Sequence, residues 1–274
     1  MGTALARRAG GYAPGAVEDA ASLAECSPIR VGPEFTPHAD RDELRFRDEI
    51  EPELRTEGVA AWMERRELVR KLEWVLAHAQ LEPAGTVVDL GAGSCWLGAH
   101  LAKRPAVERA ICVEFSRRRL EELAPQAIAA LGAPAGKVER LLADFYAHGL
   151  PAASADLVVT DAAFHHAADP ARLAHVAFDL LRPGGVFLLH REPTLSLLRR
   201  SRDHGLEGEH GGFEREYTAQ GYMEHLRAAG FQDVRKVPAA GSFRGAKARA
   251  LLRPPLSWLN GIAFAEYAYV ARGR

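Results

Sequence analysis

The sequence predicts a doubly wound α/β fold: a mostly parallel sheet of seven strands with helices on both faces, behind an N-terminal helical cap. Three observations predict it. Short β-branched runs alternate with helical stretches from Thr86 to the C-terminus, the pattern of βαβ units. The first run, Val87-Val88-Asp89-Leu90, gives way at once to Gly91-Ala92-Gly93, as a buried strand does where it turns into a ligand loop. The next four strands end at Glu114, Asp144, Asp161 and His190, and in such sheets ligands bind beyond the carboxyl ends of the strands.

The elements follow in order. Residues 1–35 are Ala/Gly-rich at their start and read as a loose N-terminal tail. Residues 36–80 read as the helical cap. Leu44, Ile50 and Leu54 hint at one helix, with Pro52 near a break. Leu68, Val69, Leu72, Val75 and Leu76 form the stripe of a second, at steps of three and four. The binding domain then spans residues 81–274. Its strands are read at TVVDL, RAICVEF, VERLLAD, ADLVVTD, VFLLH, FQDVRKV and AFAEYAYVAR. Helices fit WLGAHLAKR, residues 117–131 and PARLAHVAFDLLRPGG, where Pro170 suits the start and Pro183-Gly184-Gly185 the stop. A last helix fits Thr218 as N-cap and Gly230 just past its end. Residues 240–260 are a basic insertion broken by Pro254-Pro255.

Composition narrows the class. The 274 residues are 47% hydrophobic and 26% charged, with formal net charge −1. No global field therefore draws the chain to nucleic acid or anionic lipid. Cys26, Cys95 and Cys112 are odd in number and lack metal-ligand spacing, so a reducing cytoplasm is expected. No apolar run approaches the roughly 20 residues that span a bilayer, and the N-terminus lacks the apolar core of a signal peptide.

The glycine loop decides the ligand. A dinucleotide fingerprint places its third glycine where Trp96 stands, and no Gly-Lys-Ser/Thr follows for a P-loop. What remains is D-x-G-x-G, from Asp89 to Gly93. It resembles motif I of the class I S-adenosylmethionine-dependent methyltransferases, which share a Rossmann-like sheet. Cys95 departs from that family's pattern, where a third glycine is common. Other motifs follow in the family's order: Glu114 ends the second strand, Ala143-Asp144-Phe145 ends the third, DLVVTDAAFHHAADP covers the fourth and LLRPGGVFLL leads into the fifth. The resemblance covers residues 68–237.

The resemblance implies that Asp89, Gly91 and Gly93 shape the seat of the methionine portion. Glu114, with Phe115 beside it, would accept the ribose hydroxyls. Asp144 would take the adenine amino group and Phe145 cover the ring. Asp161 would meet the methionine amino group through its carbonyl. Each acid has a plainer reading, as a turn, a solvated charge or a helix cap. Cys95 reads as a packing residue.

For the acceptor side, His166 is the first candidate to remove a proton, with His165 and His190 behind it, since histidine suits that role at neutral pH. Arg191 and Glu192, in the stretch His190-Arg191-Glu192-Pro193, are candidate substrate-binding residues. His190 and Glu192 would share one side if the strand continued, and with His165 they could hold a divalent metal, although no metal is expected. A solvated strand end is the alternative. The 202–217 stretch and the basic residues Arg199, Arg200, Arg202, Arg244, Lys247, Arg249 and Arg253 could shape or bind the acceptor, or simply face water.

The function expected from the resemblance is methyl transfer from S-adenosylmethionine to a small-molecule acceptor, leaving S-adenosylhomocysteine. The fourth motif, TDAAF, lacks the Asn/Asp-Pro-Pro-aromatic pattern of enzymes that methylate base amines. Specialised metabolism or sugar modification would fit, with O-, N- or C-methylation open. No nucleic-acid or membrane partner is expected, and a homodimer is possible. The rivals are a methyltransferase of RNA or protein that uses the basic insertion, a non-catalytic binding or regulatory protein, and a relative that uses the bound molecule for other chemistry.

Overall fold

A computed structural model of the chain describes residues 26–33, 52–195, 215–238 and 266–273. Among them nine strands make one sheet. In chain order they are β1 (Arg30–Val31), β2 (Gly85–Leu90), β3 (Val107–Glu114), β4 (Val138–Leu142), β5 (Ala155–Asp161), β6 (Leu181–Leu195), β7 (Tyr217–Thr218), β8 (Asp233–Pro238) and β9 (Glu266–Arg272). Their spatial order is β1-β4-β3-β2-β5-β6-β9-β8, with β7 paired beside β6. β9 runs antiparallel to both its neighbours, and the other pairings are parallel. The seven expected strands are all present, and β1 and β7 are two-residue additions too short to leave a pattern in the sequence.

The helices are α1 (Pro52–Arg65), α2 (Leu68–Ala79), α3 (Trp96–Ala102), α4 (Ala124–Leu131), α5 (Pro170–Leu180) and α6 (Ala219–Ala228). The period-two alternation of the strands sorts side chains onto two faces. Val87, Leu157, Val159 and Leu188 meet α2, α3 and α4 through Leu72, Val75, Leu97, Leu101 and Ile128. Val88, Val158, Phe187 and Leu189 meet α5 and α6 through Leu173, Ala177, Leu180, Tyr222 and Leu226. The expected stripe of α2 is the buried one, with only Val69 half-exposed. Each fully buried leucine of α2 contributes about 1.5–3 kcal/mol, so this helix belongs to the main core.

Local chemistry moves some expected boundaries. The helix read over 170–185 ends at Leu180. Leu181 already pairs with Ala155, and pairing resumes at Val186 with Leu157 after an irregular Arg182–Gly185 bend. The helix read over 117–131 is split into a π turn at Arg119–Leu123 and then α4, because Pro125 has no N–H to give the turn before it. Part of the expected tail is not loose: β1 pairs with β4, and the Ser27 carbonyl accepts from buried Arg140 at 2.6 Å. Leu44 and Ile50 lie outside the described residues, as does most of that tail.

One close approach sets the first βα unit. Gly98 lies on α3 against β2 and β3, and a Cβ there would come within 2.6 Å of Cys112 Sγ and 3.7 Å of Ala110 Cβ. Its N–H donates to Asp89 Oδ2 at 3.1 Å. Gly98 thus does the close-packing work that a third motif glycine does elsewhere, at a position the spacing of the motif did not suggest.

Gly98→Ala should destabilise the fold by about 1–3 kcal/mol through overpacking, against a gain in helix propensity of up to about 1 kcal/mol. Adding Cys112→Ala should recover part of the loss. Denaturant melts of the single and double variants check this; equal stability of Gly98→Ala and the parent would show that α3 shifts freely.

Candidate active site

The glycine loop leaves β2 with Gly91 at φ 72° and Gly93 at φ 54°. A Cβ on Gly91 would lie 2.9 Å from Ala163 Cβ and 3.9 Å from Phe145 Cδ1. Gly91 is therefore pressed against the fourth-strand loop, whereas the same side of Gly93 is open. The Gly91 and Ala92 N–H groups donate to the Val113 carbonyl at 2.9 and 3.0 Å, which ties the hairpin to β3. Behind it Asp89 is fully buried, and its Oδ1 has no partner among the described residues. Burial pushes the Asp89 carboxyl up to about 8, helped by the charges of Asp161 and Glu114 and opposed by the Gly98 N–H.

Glu114 closes β3 at 1% exposure. Its Oε2 accepts the Gly93 N–H at 2.7 Å and its Oε1 the Ser116 N–H at 3.0 Å. Arg119 Nη1 lies 3.9 Å from Oε1, so the carboxylate sits beside a cation at the strand end. Phe115 is half-buried next to it. Asp144 is exposed at the end of β4, where its Oδ1 accepts the Tyr146 N–H at 2.6 Å. Phe145 is half-buried and meets Tyr146 edge-on, with ring centroids 4.6 Å apart.

The densest polar group centres on Asp161, the last residue of β5. Arg191 grips it from two sides, Nε to Oδ1 and Nη2 to Oδ2, both at 2.7 Å. His190 Nδ1 lies 2.9 Å from Oδ1, and Trp96 Nε1 donates to Oδ2 at 2.7 Å. Burial alone would raise the Asp161 carboxyl, but the Arg191 cation and the His190 hydrogen bond hold it well below the usual carboxylate range. His190 is fully buried, and its Nε2 has no partner among the described residues.

The neighbouring residues separate by strand geometry. Arg191 has φ 54°, and the β6–β9 register shifts between Leu189 and Glu192. This bulge breaks the alternation, so His190 and Glu192 do not share a side as expected. Glu192 is fully buried and accepts from the Ala163, Phe164 and His165 N–H groups at 3.2, 3.0 and 3.3 Å, and from His165 Nδ1 at 2.9 Å. It holds the turn at Phe164–His166, so its carboxylate is committed to that turn. Arg191 is likewise committed to Asp161, at 8% exposure. His165 is 6% exposed, and its carbonyl accepts the Arg215 N–H at 2.9 Å. His166 is half-buried with its ring 4.0 Å from that of His165. The histidines thus form two separate carboxylate pairs, Glu192–His165 and Asp161–His190. Among the described residues no three His, Cys, Asp or Glu side chains gather as metal ligands.

These residues fit S-adenosylmethionine. The hairpin offers an open backbone face at Gly93, Glu114 stands at the next strand end, and Phe145 reaches Gly91 from the third. Asp89 Oδ1, Ser94 Oγ and His190 Nε2 are buried polar atoms without partners among the described residues. The bond from Trp96 to Asp161 and the packing of Gly98 were not read from the sequence, where Trp96 only marks the place of a missing third glycine and Gly98 is one glycine among many. Arg199, Arg200, Arg202, residues 202–214 and the 240–260 insertion with Arg244, Lys247, Arg249 and Arg253 lie outside the described residues.

Residues 88–189 match a family described as a methyltransferase domain. The chain is 29% identical over 215 residues to trans-aconitate 2-methyltransferase of Deinococcus radiodurans, covering 70% of this chain and 79% of that protein. In solved structures it is similar to a chain in the complex of a methyltransferase with its activator from Haloferax volcanii (TM-score 0.58, 21% identity, 80% of this chain and 96% of the other). It is also similar to an S-adenosylmethionine-dependent methyltransferase from Thermotoga maritima (TM-score 0.56, 19% identity, 85% and 100%). Those two likenesses bear on the fold.

The raised Asp89 carboxyl makes stability depend on pH. The folded protein keeps the proton up to about 8, whereas an unfolded aspartate loses it near 3.9. Its contribution is therefore full below about pH 4 and is lost as pH rises toward 8. Asp89→Asn mimics the protonated form and lacks this titration. Between pH 5 and 8 the parent should lose more than about 1 kcal/mol relative to the variant. Parallel pH-dependent melts of the two ligand-free proteins would count against the buried, protonated Asp89.

Proposed function

The chain is a class I S-adenosylmethionine-dependent methyltransferase, and from that premise we propose that its acceptor is a small molecule. The observation that carries this reading is the likeness, over 70% of the chain, to an enzyme named for methylating trans-aconitate. The enclosed Asp161–His190–Arg191 group supports it too, since such a site suits a small acceptor shut away from water better than a polymer strand. No described helix is long and apolar enough to cross a membrane. The cysteines are unpaired, which fits work in a reducing cytoplasm.

Bound S-adenosylmethionine supplies an activated methyl group, and the protein's own part is placement. In this reading Gly91 and Gly93 let the backbone approach the methionine portion, with Asp89 behind them. Glu114, at the end of β3, accepts the ribose hydroxyls. Asp144 and Phe145 flank the adenine, and Phe115 lines the same side. Asp161 serves through its carbonyl, because its carboxylate is already filled by Arg191, His190 and Trp96. Holding acceptor and methyl carbon in line and excluding water accounts for much of the rate of such a displacement.

Labelled S-adenosylmethionine offered to a panel of small acids, alcohols and amines, beside total RNA and cell protein, tests the acceptor class. Label should enter the small-molecule fraction. Label confined to RNA or protein would replace this reading with the macromolecular one.

Calorimetry should show saturable binding of S-adenosylmethionine and S-adenosylhomocysteine and none of NAD. Glu114→Ala removes a charged acceptor whose hydrogen bonds are worth about 1.5–3 kcal/mol each, so affinity should fall at least about tenfold. An unchanged Kd in a folded variant would assign the ribose to another residue.

A further inference from the structure

We propose that His190, aligned by Asp161, takes a proton from the acceptor, and that the acceptor is therefore a hydroxyl compound rather than a carboxylate. This rests on the small-molecule reading above. The argument starts from the hydrogen-bond inventory. Asp161 is ionised and can only accept. It is met by Arg191 Nε and Nη2, Trp96 Nε1 and His190 Nδ1, all within 2.9 Å. His190 Nδ1 must therefore be a donor, and in the neutral ring this leaves Nε2 as a bare lone pair. That is the tautomer a proton acceptor needs, oriented by a carboxylate as in other base–orienter pairs.

Two further observations place that lone pair in the reaction. Nε2 is buried and has no partner among the described residues. A buried acceptor left without a hydrogen bond is costly and calls for an explanation; an acceptor hydroxyl would satisfy it. The ring also stands beside Trp96, with centroids 6.1 Å apart, and Trp96 is only a few residues beyond Gly93. His190 is thereby held next to the loop that seats the methyl donor. His165 differs, because its carboxylate partner also holds three backbone N–H groups of the turn.

The step balances simply. The acceptor oxygen forms a bond to the methyl carbon as the carbon–sulfur bond yields its electron pair to sulfur. The hydroxyl proton passes to His190 Nε2, and the imidazolium later returns it to water. A carboxylate acceptor is already ionised at neutral pH and would leave the aligned lone pair without a task. The charged groups around His190 are Asp161 from β5 and Arg191 on its own strand. Glu192 and β9's Glu266 act on Arg191, and β2's Asp89 lies close to Asp161.

The test is long-range proton–nitrogen NMR on histidine-labelled protein saturated with S-adenosylhomocysteine, with His190→Gln giving the assignment. The parent should carry its proton on Nδ1, and Asp161→Asn should shift it to Nε2. An Nε2–H tautomer in the parent would overturn the proposal. In turnover, with the best acceptor from the panel and trans-aconitate as the carboxylate probe, His190→Gln should lower kcat by about 100-fold or more. It should leave the Kd for S-adenosylhomocysteine within about threefold. Near-parental turnover in that variant, or preferred transfer to trans-aconitate, would overturn it. Should label enter only RNA or protein, the small-molecule reading fails, and the effect of His190→Gln on that transfer decides the base separately.

Discussion

Asp161 ends β5 with a hydrogen bond or ion pair on every side: Arg191 and His190 from β6, and Trp96 from the first turn of α3. Removing a carboxylate from water costs several kcal/mol, and only a set of donors this complete makes the charge tenable there. The same bonds join three segments distant in sequence, the glycine loop, the fourth-strand end and the fifth-strand end. The position of His190 relative to the loop follows from that junction. Removing Arg191 would leave a buried anion without its cation, so the ion pair specifies the arrangement more than it stabilises the fold.

The backbone carries the cost of this junction. Ala162 and Arg191 have φ 49° and 54°, and a non-glycine residue held there costs on the order of 1 kcal/mol or more. Ala162 N–H donates to the His190 carbonyl at 2.8 Å, so left-handed Ala162 is tied across the strand ends to the residue just before left-handed Arg191. The bulge at Arg191 turns two consecutive side chains toward Asp161 and sends Glu192 to the opposite side, where it anchors the histidine turn. Two separate carboxylate–imidazole pairs, Glu192–His165 and Asp161–His190, arise around one irregularity in one strand.

On the donor side, close packing is the governing constraint. Gly98 lets α3 lie against Cys112, and its N–H reaches the buried Asp89. The loop therefore rests on a floor of sulfur, glycine and a carboxyl whose proton burial retains. Departure from the family pattern at Cys95 is absorbed here, because that residue is fully buried beneath the loop in a left-handed conformation. The shared fold leaves the acceptor open, since one scaffold supports many acceptors through the residues placed around it.

Strand and helix order, both hydrophobic faces and the donor loop were legible in the sequence. They depend on local period and on short contiguous motifs: Val87/Val88 and Leu188/Leu189 announce a two-sided strand, and Asp89-Leu90-Gly91-Ala92-Gly93 announces the turn. The role of Gly98 was not legible, because a close approach concerns the partner strand, here Cys112. The tasks of Trp96, Arg191 and Glu192 were equally hidden, since each is set by a partner at least 27 positions away. The partners of the histidines were hidden in the same way. From the sequence, His166 stands first among three imidazoles at adjoining strand ends, with His165 and His190 behind it. Which nitrogen keeps a bare lone pair is decided by the carboxylate that each ring meets, and that meeting exists only once β5, β6 and α3 are packed together.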